Sequence, residues 1–239
     1  IRPANAEKGN FRFTGDGWSV GYNLGLLWQP HEMISIGATV RSPTRFNMKG
    51  RTEFEQPPII GYTKLRAESG FEFPLTAVFG SAFRPTPKWN IEFNADYTDW
   101  SSFGFTTINH KDPPPFPVQT IIPVTLSWQA SWMYELGVTR YFDNHWHVSG
   151  GYAFNENSVP DAYYSPLAAD LDRHFLTVGI GRKGQRFDFD VAYQFGYGPN
   201  HTVTGSTPSS QPGQFAGQTA DGTYDFISHA IFVSAGLKF

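Results

Sequence analysis

The sequence predicts an all-β protein, a transmembrane antiparallel β-barrel, on three observations. Several segments alternate apolar and polar residues with a period of two, the period at which strand side chains change face. The connections between these segments are alternately short and long, as in barrels with tight turns at one rim and loops at the other. Phe, Tyr and Trp number 22, 11 and 7 among 239 residues, which suits the aromatic girdles of a membrane barrel.

The alternation is longest at the end of the chain. From Ile227 to Phe239 the odd positions are apolar except for His229, whereas the even positions are mostly small or polar. A strand of a soluble sandwich rarely keeps this pattern over such a length. A transmembrane strand turns one face to lipid and the other to the lumen over about 9–11 residues. We therefore predict that the odd positions of this segment face lipid.

Eight earlier segments repeat the pattern, which predicts nine strands in all. The fourth is the clearest, because Glu92 and Asp96 alternate with large apolar residues. The predicted long loops between strands span residues 42–70, 102–123, 155–173 and 198–222. The nine predicted strands are Trp18–Trp28, Ile34–Val40, Phe71–Phe83, Trp89–Tyr97, Leu126–Val138, Trp146–Phe154, Leu176–Ile180, Phe187–Tyr197 and Ile227–Phe239.

Composition excludes several other classes of protein. The formal net charge is −3 and no basic cluster occurs, so we expect no nucleic-acid partner. Cysteine is absent, which excludes disulfides and thiolate metal sites. No run approaches the 18 or so apolar residues of a helical span, and the first residues lack the pattern of a secretory signal.

The strand count predicts that residues 1–239 are the C-terminal part of a single outer-membrane β-barrel domain. Single-chain bacterial barrels have an even number of strands, whereas nine are predicted. Nine strands alone would also leave two unpaired edges in lipid, where unsatisfied backbone groups are costly.

Several short segments resemble one family. The stretch from Gly17 to Pro30, GWSVGYNLGLLWQP, resembles a hallmark segment of the FadL-like long-chain fatty acid and hydrocarbon transporters. The resemblance extends in order through nearly the whole chain. Its further segments are Ser35–Pro43, Phe46–Gly50, Asp96–Ser101, Asn157–Pro160 and Asp170–Arg173.

This resemblance implies a 14-stranded barrel plugged by an N-terminal hatch, with the hatch and the early strands absent from these 239 residues. It implies a multi-pass protein of a Gram-negative outer membrane. Transport would be passive, from capture at the outer loops to a lateral exit. The expected substrates are long-chain fatty acids or aromatic hydrocarbons. We expect a monomer that contacts outer-membrane lipid and lipopolysaccharide, with no cofactor.

Charged residues on the predicted lumen faces are the candidate substrate contacts: Arg41, Arg186, Glu92, Asp96 and Glu135. Arg41 and Arg186 are the best candidates for a carboxylate head group. The alternative, a salt-linked network that holds the barrel interior in place, remains open. Four apolar loop residues could form a capture surface or simply pack the loops together: Phe116, Val118, Ile121 and Ile122.

Other chemistry is weakly supported. His145 and His147 could form half of a metal site, but no third ligand is evident, so we expect polar lumen lining and no metal. The glycine pattern from Gly179 to Gly184 leads into a hairpin rather than the helix that a dinucleotide site needs. The sequence contains no recognisable motif for a catalytic nucleophile and its base, so an enzymatic function is disfavoured. A structural or adhesive barrel with partner-binding loops is the alternative to a transporter.

Overall fold

The described part of the chain folds into two antiparallel sheets, one of nine strands and one of five. The structure is a computed structural model and describes residues 10–56, 61–115, 118–165, 169–206 and 219–238. Among these residues, no helix is both long and apolar enough to cross a membrane. The strands are β1 (Asn10–Asp16), β2 (Asn23–His31), β3 (Ile34–Arg41), β4 (Thr44–Gln56), β5 (Gly61–Phe73), β6 (Thr76–Thr86), β7 (Trp89–Thr98), β8 (Phe105–His110), β9 (Ile121–Thr125), β10 (Ser131–Tyr141), β11 (Trp146–Asn155), β12 (Arg173–Lys183), β13 (Phe187–Val203) and β14 (Gly222–Leu237).

The nine-stranded sheet, which we call the wall, contains all nine predicted strands. Its order is β2-β3-β6-β7-β10-β11-β12-β13-β14, and every adjacent pair is antiparallel. The predicted all-β class and its antiparallel wall are confirmed. Within the described residues β2 and β14 each pair with one wall neighbour, so the wall is part of a barrel rather than a closed one.

The two faces of the wall differ as the alternation predicts. In β12, Leu176, Val178 and Ile180 are 57%, 63% and 47% exposed, whereas Thr177 and Gly179 between them are half-buried. Large apolar side chains are exposed in the same way on the other wall strands. A soluble monomer rarely exposes so extensive an apolar surface. In a bilayer these side chains contact hydrocarbon.

The five-stranded sheet, which we call the outer sheet, continues the wall beyond its long-loop rim. Its order, β1-β4-β5-β8-β9, parallels that of wall strands β2-β3-β6-β7-β10. The register also carries through the junction. Arg41 pairs with Thr76 at the end of the wall, and Thr44 pairs with Phe73 at the start of the outer sheet. β3 therefore continues into β4, and β5 into β6. The other three outer strands are separated from their wall partners by residues 17–22, 99–104 and 126–130, and Trp100–Phe103 form a 3-10 helix.

The prediction that residues 42–70 and 102–123 are loops is wrong. The first range holds β4 and most of β5, and the second holds β8 and part of β9. The predicted first, third and fifth strands also began too early, since β2 starts at Asn23, β6 at Thr76 and β10 at Ser131. The start of the predicted 198–222 loop is strand too, because β13 runs to Val203. The outer strands escaped prediction because their apolar face is interrupted by Gly50 and Thr52, which blurs the alternation.

Proline interrupts the ladder between the wall and the outer sheet. Pro43 and Pro74 lie at the two facing breaks, and proline has no N–H to donate across a sheet. The backbone at the break is held by other bonds. The N–H of Ser42 donates to the carbonyl of Tyr22 at 2.9 Å, and the N–H of Tyr22 donates to Ser42 Oγ at 2.9 Å. The two strands therefore keep their register across the break.

The outer loops of the last strands share a small core. Val159, Tyr164, Val203 and Ala220 are buried together, and Trp128 packs against them. The segment before β12 is tied to this loop by Asp170, whose carboxylate accepts the N–H and the hydroxyl of Ser158 at 2.9 and 2.8 Å. Asp170 also pairs with Arg173. Two segments that resembled the family thus meet in one hydrogen-bonded clamp.

Candidate functional site

The lumen face of β3, β6, β7 and β10 is lined by small and polar residues. Gly37 pairs with Gly80, and Gly80 pairs with Asn94. A Cβ on Gly80 would lie 2.6 Å from Asn94 Oδ1, closer than such atoms normally approach. Glycine at this position therefore leaves the space that the amide side chain occupies, and the face stays open beside the acids of β7.

A cavity of about 490 Å³ lies on the outer sheet. Its charged lining residues include Arg45, Lys49, Glu68 and Glu72. Alternation continues from β3 into β4, so Arg45 and Lys49 share the side of the sheet that Arg41 occupies in the wall. Glu68 is held by Lys111 at 2.8 Å, and this hydrogen bond lowers the pKa of the Glu68 carboxyl. This cavity therefore carries both cations and acids, and none of them is among the predicted site residues.

A smaller cavity of about 250 Å³ follows at the outer end of the wall. Arg41 and Asp96 both line it, together with Tyr97 and Thr98. Within the described residues Arg41 has no carboxylate within ion-pair distance. Asp96 Oδ1 is buried and has no hydrogen-bond partner among the described residues. These two predicted residues are thus brought together, with capacity left to bind a polar group.

A third cavity, of about 570 Å³, lies nearer the short-turn rim. Glu92 lines it beside Arg84 and Asn94. Asn90 donates to Glu92 Oε1 at 2.6 Å, and Asn94 donates to Glu135 Oε2 at 3.2 Å. Glu92 and Glu135 are therefore each hydrogen-bonded to a neighbouring amide, and neither lies within ion-pair distance of a cation among the described residues. Arg84 was missed by the sequence reading, although its even position in β6 follows the same alternation.

Arg186 lies apart from the other predicted lumen residues. It is in the turn between β12 and β13, where its carbonyl accepts the N–H of Lys238 at 2.9 Å. Arg41 ends β3 at the opposite rim. The two arginines therefore cannot hold one carboxylate together.

The residues predicted to form a capture surface lie in two places, a cavity after β8 and the strand β9. Val118 lines a cavity of about 620 Å³ with His110, Pro113 and Pro114. Ile122 pairs with Ile108 across β8 and β9, and Ile121 beside it is 54% exposed. Phe116 lies outside the described residues. A capture role for these residues remains a prediction.

An ion pair ties the chain after β8 to the outer sheet. Arg66 Nη2 lies 2.7 Å from Asp112 Oδ1, and the N–H of Arg66 donates to Asp112 Oδ2 at 2.8 Å. These side-chain and backbone hydrogen bonds lower the pKa of the Asp112 carboxyl. A lowered carboxyl pKa stabilises the folded form above the unfolded value of about 3.9, and this contribution is lost as pH falls through the folded value.

Because the Arg66 side chain is largely exposed, the pair contributes only modestly to stability. We therefore expect protease to cleave residues 111–115 somewhat more slowly between about pH 5 and pH 8 than below about pH 4. Limited proteolysis across this range, with cleavage sites mapped by mass spectrometry, measures the effect. Asp112→Asn should be cleaved at the faster rate at every pH. Equal cleavage rates for the variant and the wild type at neutral pH would contradict the role of the pair.

The structure places the two candidate metal-binding histidines, His145 and His147, and the glycine-rich segment from Gly179 to Gly184. His147 Nε2 lies 2.7 Å from Asp190 Oδ1, whereas His145 lies in the turn before β11 with a φ of 68°. No group of three or more potential metal ligands occurs in the described ranges. The segment from Gly179 to Gly184 ends β12 and leads into β13.

Comparisons with known proteins agree on one family. The family model described as "Outer membrane protein transport protein (OMPP1/FadL/TodX)" matches residues 2–238. A long-chain fatty acid transport protein of Salmonella typhi is 26% identical over 197 residues, which are 77% of this chain and 44% of that protein. The chain therefore spans about half the length of the curated relatives it matches.

Solved structures show the same fold. A Pseudomonas aeruginosa FadL homologue has a TM-score of 0.74 at 18% identity, with 90% of this chain and 51% of that chain covered. The Ralstonia pickettii toluene transporter TbuX has a TM-score of 0.61 at 14% identity, with 96% and 50% covered. The Salmonella typhi relative is named as a transport protein and TbuX as a transporter.

Proposed function

Because the chain belongs to the outer membrane protein transport family (OMPP1/FadL/TodX), we propose that it forms part of a passive passage for hydrophobic compounds. The substrates are long-chain fatty acids or aromatic hydrocarbons, captured at the outer loops and passed through the barrel to a lateral exit. Residues 1–239 form the C-terminal part of a single barrel domain in this proposal. The protein works as a monomer among outer-membrane lipid and lipopolysaccharide.

The observation that carries this proposal is the series of three cavities along one face. The first lies on the outer sheet beside Arg45, the second at the rim beside Arg41, and the third in the wall beside Glu92. Because β3 continues into β4 in one register, these cavities share the lumen side of continuous strands. A solute can therefore pass from one to the next without crossing the sheet.

The charges along this face suit transient binding of a carboxylate. Arg41, at the outer end of the wall, has no carboxylate within ion-pair distance among the described residues and can receive an anionic head group. Arg45 and Lys49 lie further out, where each pairs across the strands with an acid, Glu72 and Glu68. Asp96 lines the same cavity as Arg41, and Glu92 and Glu135 follow further in. Like charges destabilise an anion beside them, so a fatty acid received at the mouth is not retained in the wall. An aromatic hydrocarbon carries no charge, so neither the cations nor the acids would strongly affect its passage.

Arg41→Gln tests the head-group role. A hydrogen bond to a charged group contributes about 1.5 kcal/mol or more, so we expect fatty-acid uptake at limiting concentration to fall about tenfold. Toluene uptake should be unchanged. Uptake of radiolabelled oleate and toluene by cells that lack the natural protein, complemented with full-length variants, measures both.

Arg186→Gln is the matched control, because it removes the same charge at the opposite rim. Equal losses for both variants would contradict a local role for Arg41. If cells without the protein took up both compounds normally, transport itself would be overturned. The structural or adhesive alternative, for which the outer sheet offers a broad surface, would then be favoured.

A further inference from the structure

Two arginines lie on the lipid face of the wall at its short-turn rim. Arg140 is the penultimate residue of β10 and Arg182 the penultimate residue of β12. Both occupy even positions in strands whose even positions carry exposed apolar side chains, such as Leu136 and Ile180. Their guanidinium groups therefore point outward, where the apolar band meets the periplasmic rim of the barrel.

Aromatic rings position both guanidinium groups. The Arg140 Cζ lies 4.8 Å from the centroid of the Trp89 ring and 5.5 Å from that of Phe142. The Arg182 Cζ lies 5.8 Å from the centroid of the Trp146 ring. Trp146 is also the residue that pairs with Arg182 across β11 and β12. A guanidinium held over a ring face keeps its N–H edges free to donate. Both groups are therefore oriented before any ligand arrives.

The neighbouring acids do not neutralise these arginines. Neither guanidinium has a carboxylate within ion-pair distance in the part of the chain that the structure describes. Asp143, in the adjoining turn, pairs with Lys88 at 2.7 Å. Asp188 pairs with Lys238 at 2.8 Å, and Asp190 with His147 at 2.7 Å. The rim therefore presents uncompensated positive charge directly beside lipid-facing rings.

We propose that Arg140 and Arg182 bind the phosphates of anionic phospholipids in the inner leaflet. Short turns face the periplasm in barrels of this type, and their aromatic girdle lies at the headgroup level. Guanidinium donors match phosphate oxygens, while Trp89, Phe142 and Trp146 supply apolar surface for the adjoining glycerol and acyl carbons. A free phosphate ion would use only the arginines, whereas a lipid uses both parts. The site is independent of the proposed transport path, which lies on the opposite face.

The test uses the full-length natural protein, reconstituted in nanodiscs that contain phosphatidylethanolamine and phosphatidylglycerol in equal amounts. Native mass spectrometry measures how many of the lipids retained on release are phosphatidylglycerol. We expect clear enrichment of phosphatidylglycerol on the wild type. Each arginine near a membrane surface changes anionic lipid binding about fivefold, so Arg140→Gln/Arg182→Gln should abolish the enrichment.

Arg84→Gln is the control, because it removes an arginine near the same rim from the lumen face, where it donates to Ser35 Oγ at 3.0 Å. This variant should keep the enrichment. Equal enrichment in the double variant, or equal loss in the control, would overturn the proposal. So would displacement of the lipid by inorganic phosphate at millimolar concentration, since that outcome identifies a simple anion site. Arg140→Lys/Arg182→Lys, which keeps the charge, should retain part of the enrichment and shows that the rim still folds.

Discussion

Tyr164→Ala is expected to cost about 3–5 kcal/mol in the stability of the outer loops, as for other buried aromatic residues replaced by alanine. Tyr164 is fully buried, and its ring centroid lies 4.6 Å from that of Tyr224. It packs with Val159, Val203 and Ala220, of which Val203 ends β13 and the other two lie in separate loops. Its removal therefore leaves a cavity where these segments meet.

Tyr164→Phe is the matched control for this prediction. The hydroxyl oxygen of Tyr164 is buried without a hydrogen-bond partner among the described residues, and burial raises the pKa of the phenol. Phenylalanine keeps the ring and removes an unsatisfied polar atom, so its stability should equal or exceed that of the wild type. Thermal unfolding of the outer loops, followed by protease resistance, distinguishes the two variants. An alanine variant as resistant as the phenylalanine variant would show that the cluster contributes little.

Leu136→Arg is expected to destabilise the inserted protein by about 2–4 kcal/mol, the cost of a charge near the bilayer midplane on the lipid face of a barrel. Leu136 is the middle residue of β10 and is 49% exposed. Its neighbours Glu135 and Gly137 point to the lumen. Urea-dependent refolding of the full-length protein into lipid vesicles measures the change.

Thr139→Arg places the same charge on the lumen face of the same strand. Thr139 pairs with Asn90 and Ser149, two polar residues, so an arginine there can remain hydrated. We expect a loss of well under that of Leu136→Arg. If the lumen variant were the more damaging of the two, the assignment of the two faces would be reversed and the proposed path with it.

The candidate site was partly predictable from alternation. Arg41 and Asp96 are on different strands, 55 positions apart in the chain, yet each was assigned to the lumen face by its own segment. What alternation cannot supply is height along the barrel. Arg186 follows the same sequence rule as Arg41 but lies in a turn at the other rim, because only the pairing of strands places residues along the barrel axis.

The outer sheet and the clamp at Asp170 show a second limit. The segments that form β4 and β5 were predicted to be a loop because their apolar face is interrupted at Gly50 and Thr52. Their strand form depends on pairing with β1 and β8. The segments Asn157–Pro160 and Asp170–Arg173 were identified in the sequence only by their resemblance to the family. The sequence did not predict that they contact each other, whereas in the fold the Ser158 hydroxyl donates to the Asp170 carboxylate.

The sequence alone determined the β class, the nine wall strands and which residues of each strand face lipid, because these properties follow from a period of two within one segment. The tertiary structure decided the outer sheet, the three cavities in series and the arginine–aromatic rim. These depend on register between strands, and register is set by backbone hydrogen bonds and packing between distant segments. A local pattern carries no information on how far one strand slides along the next.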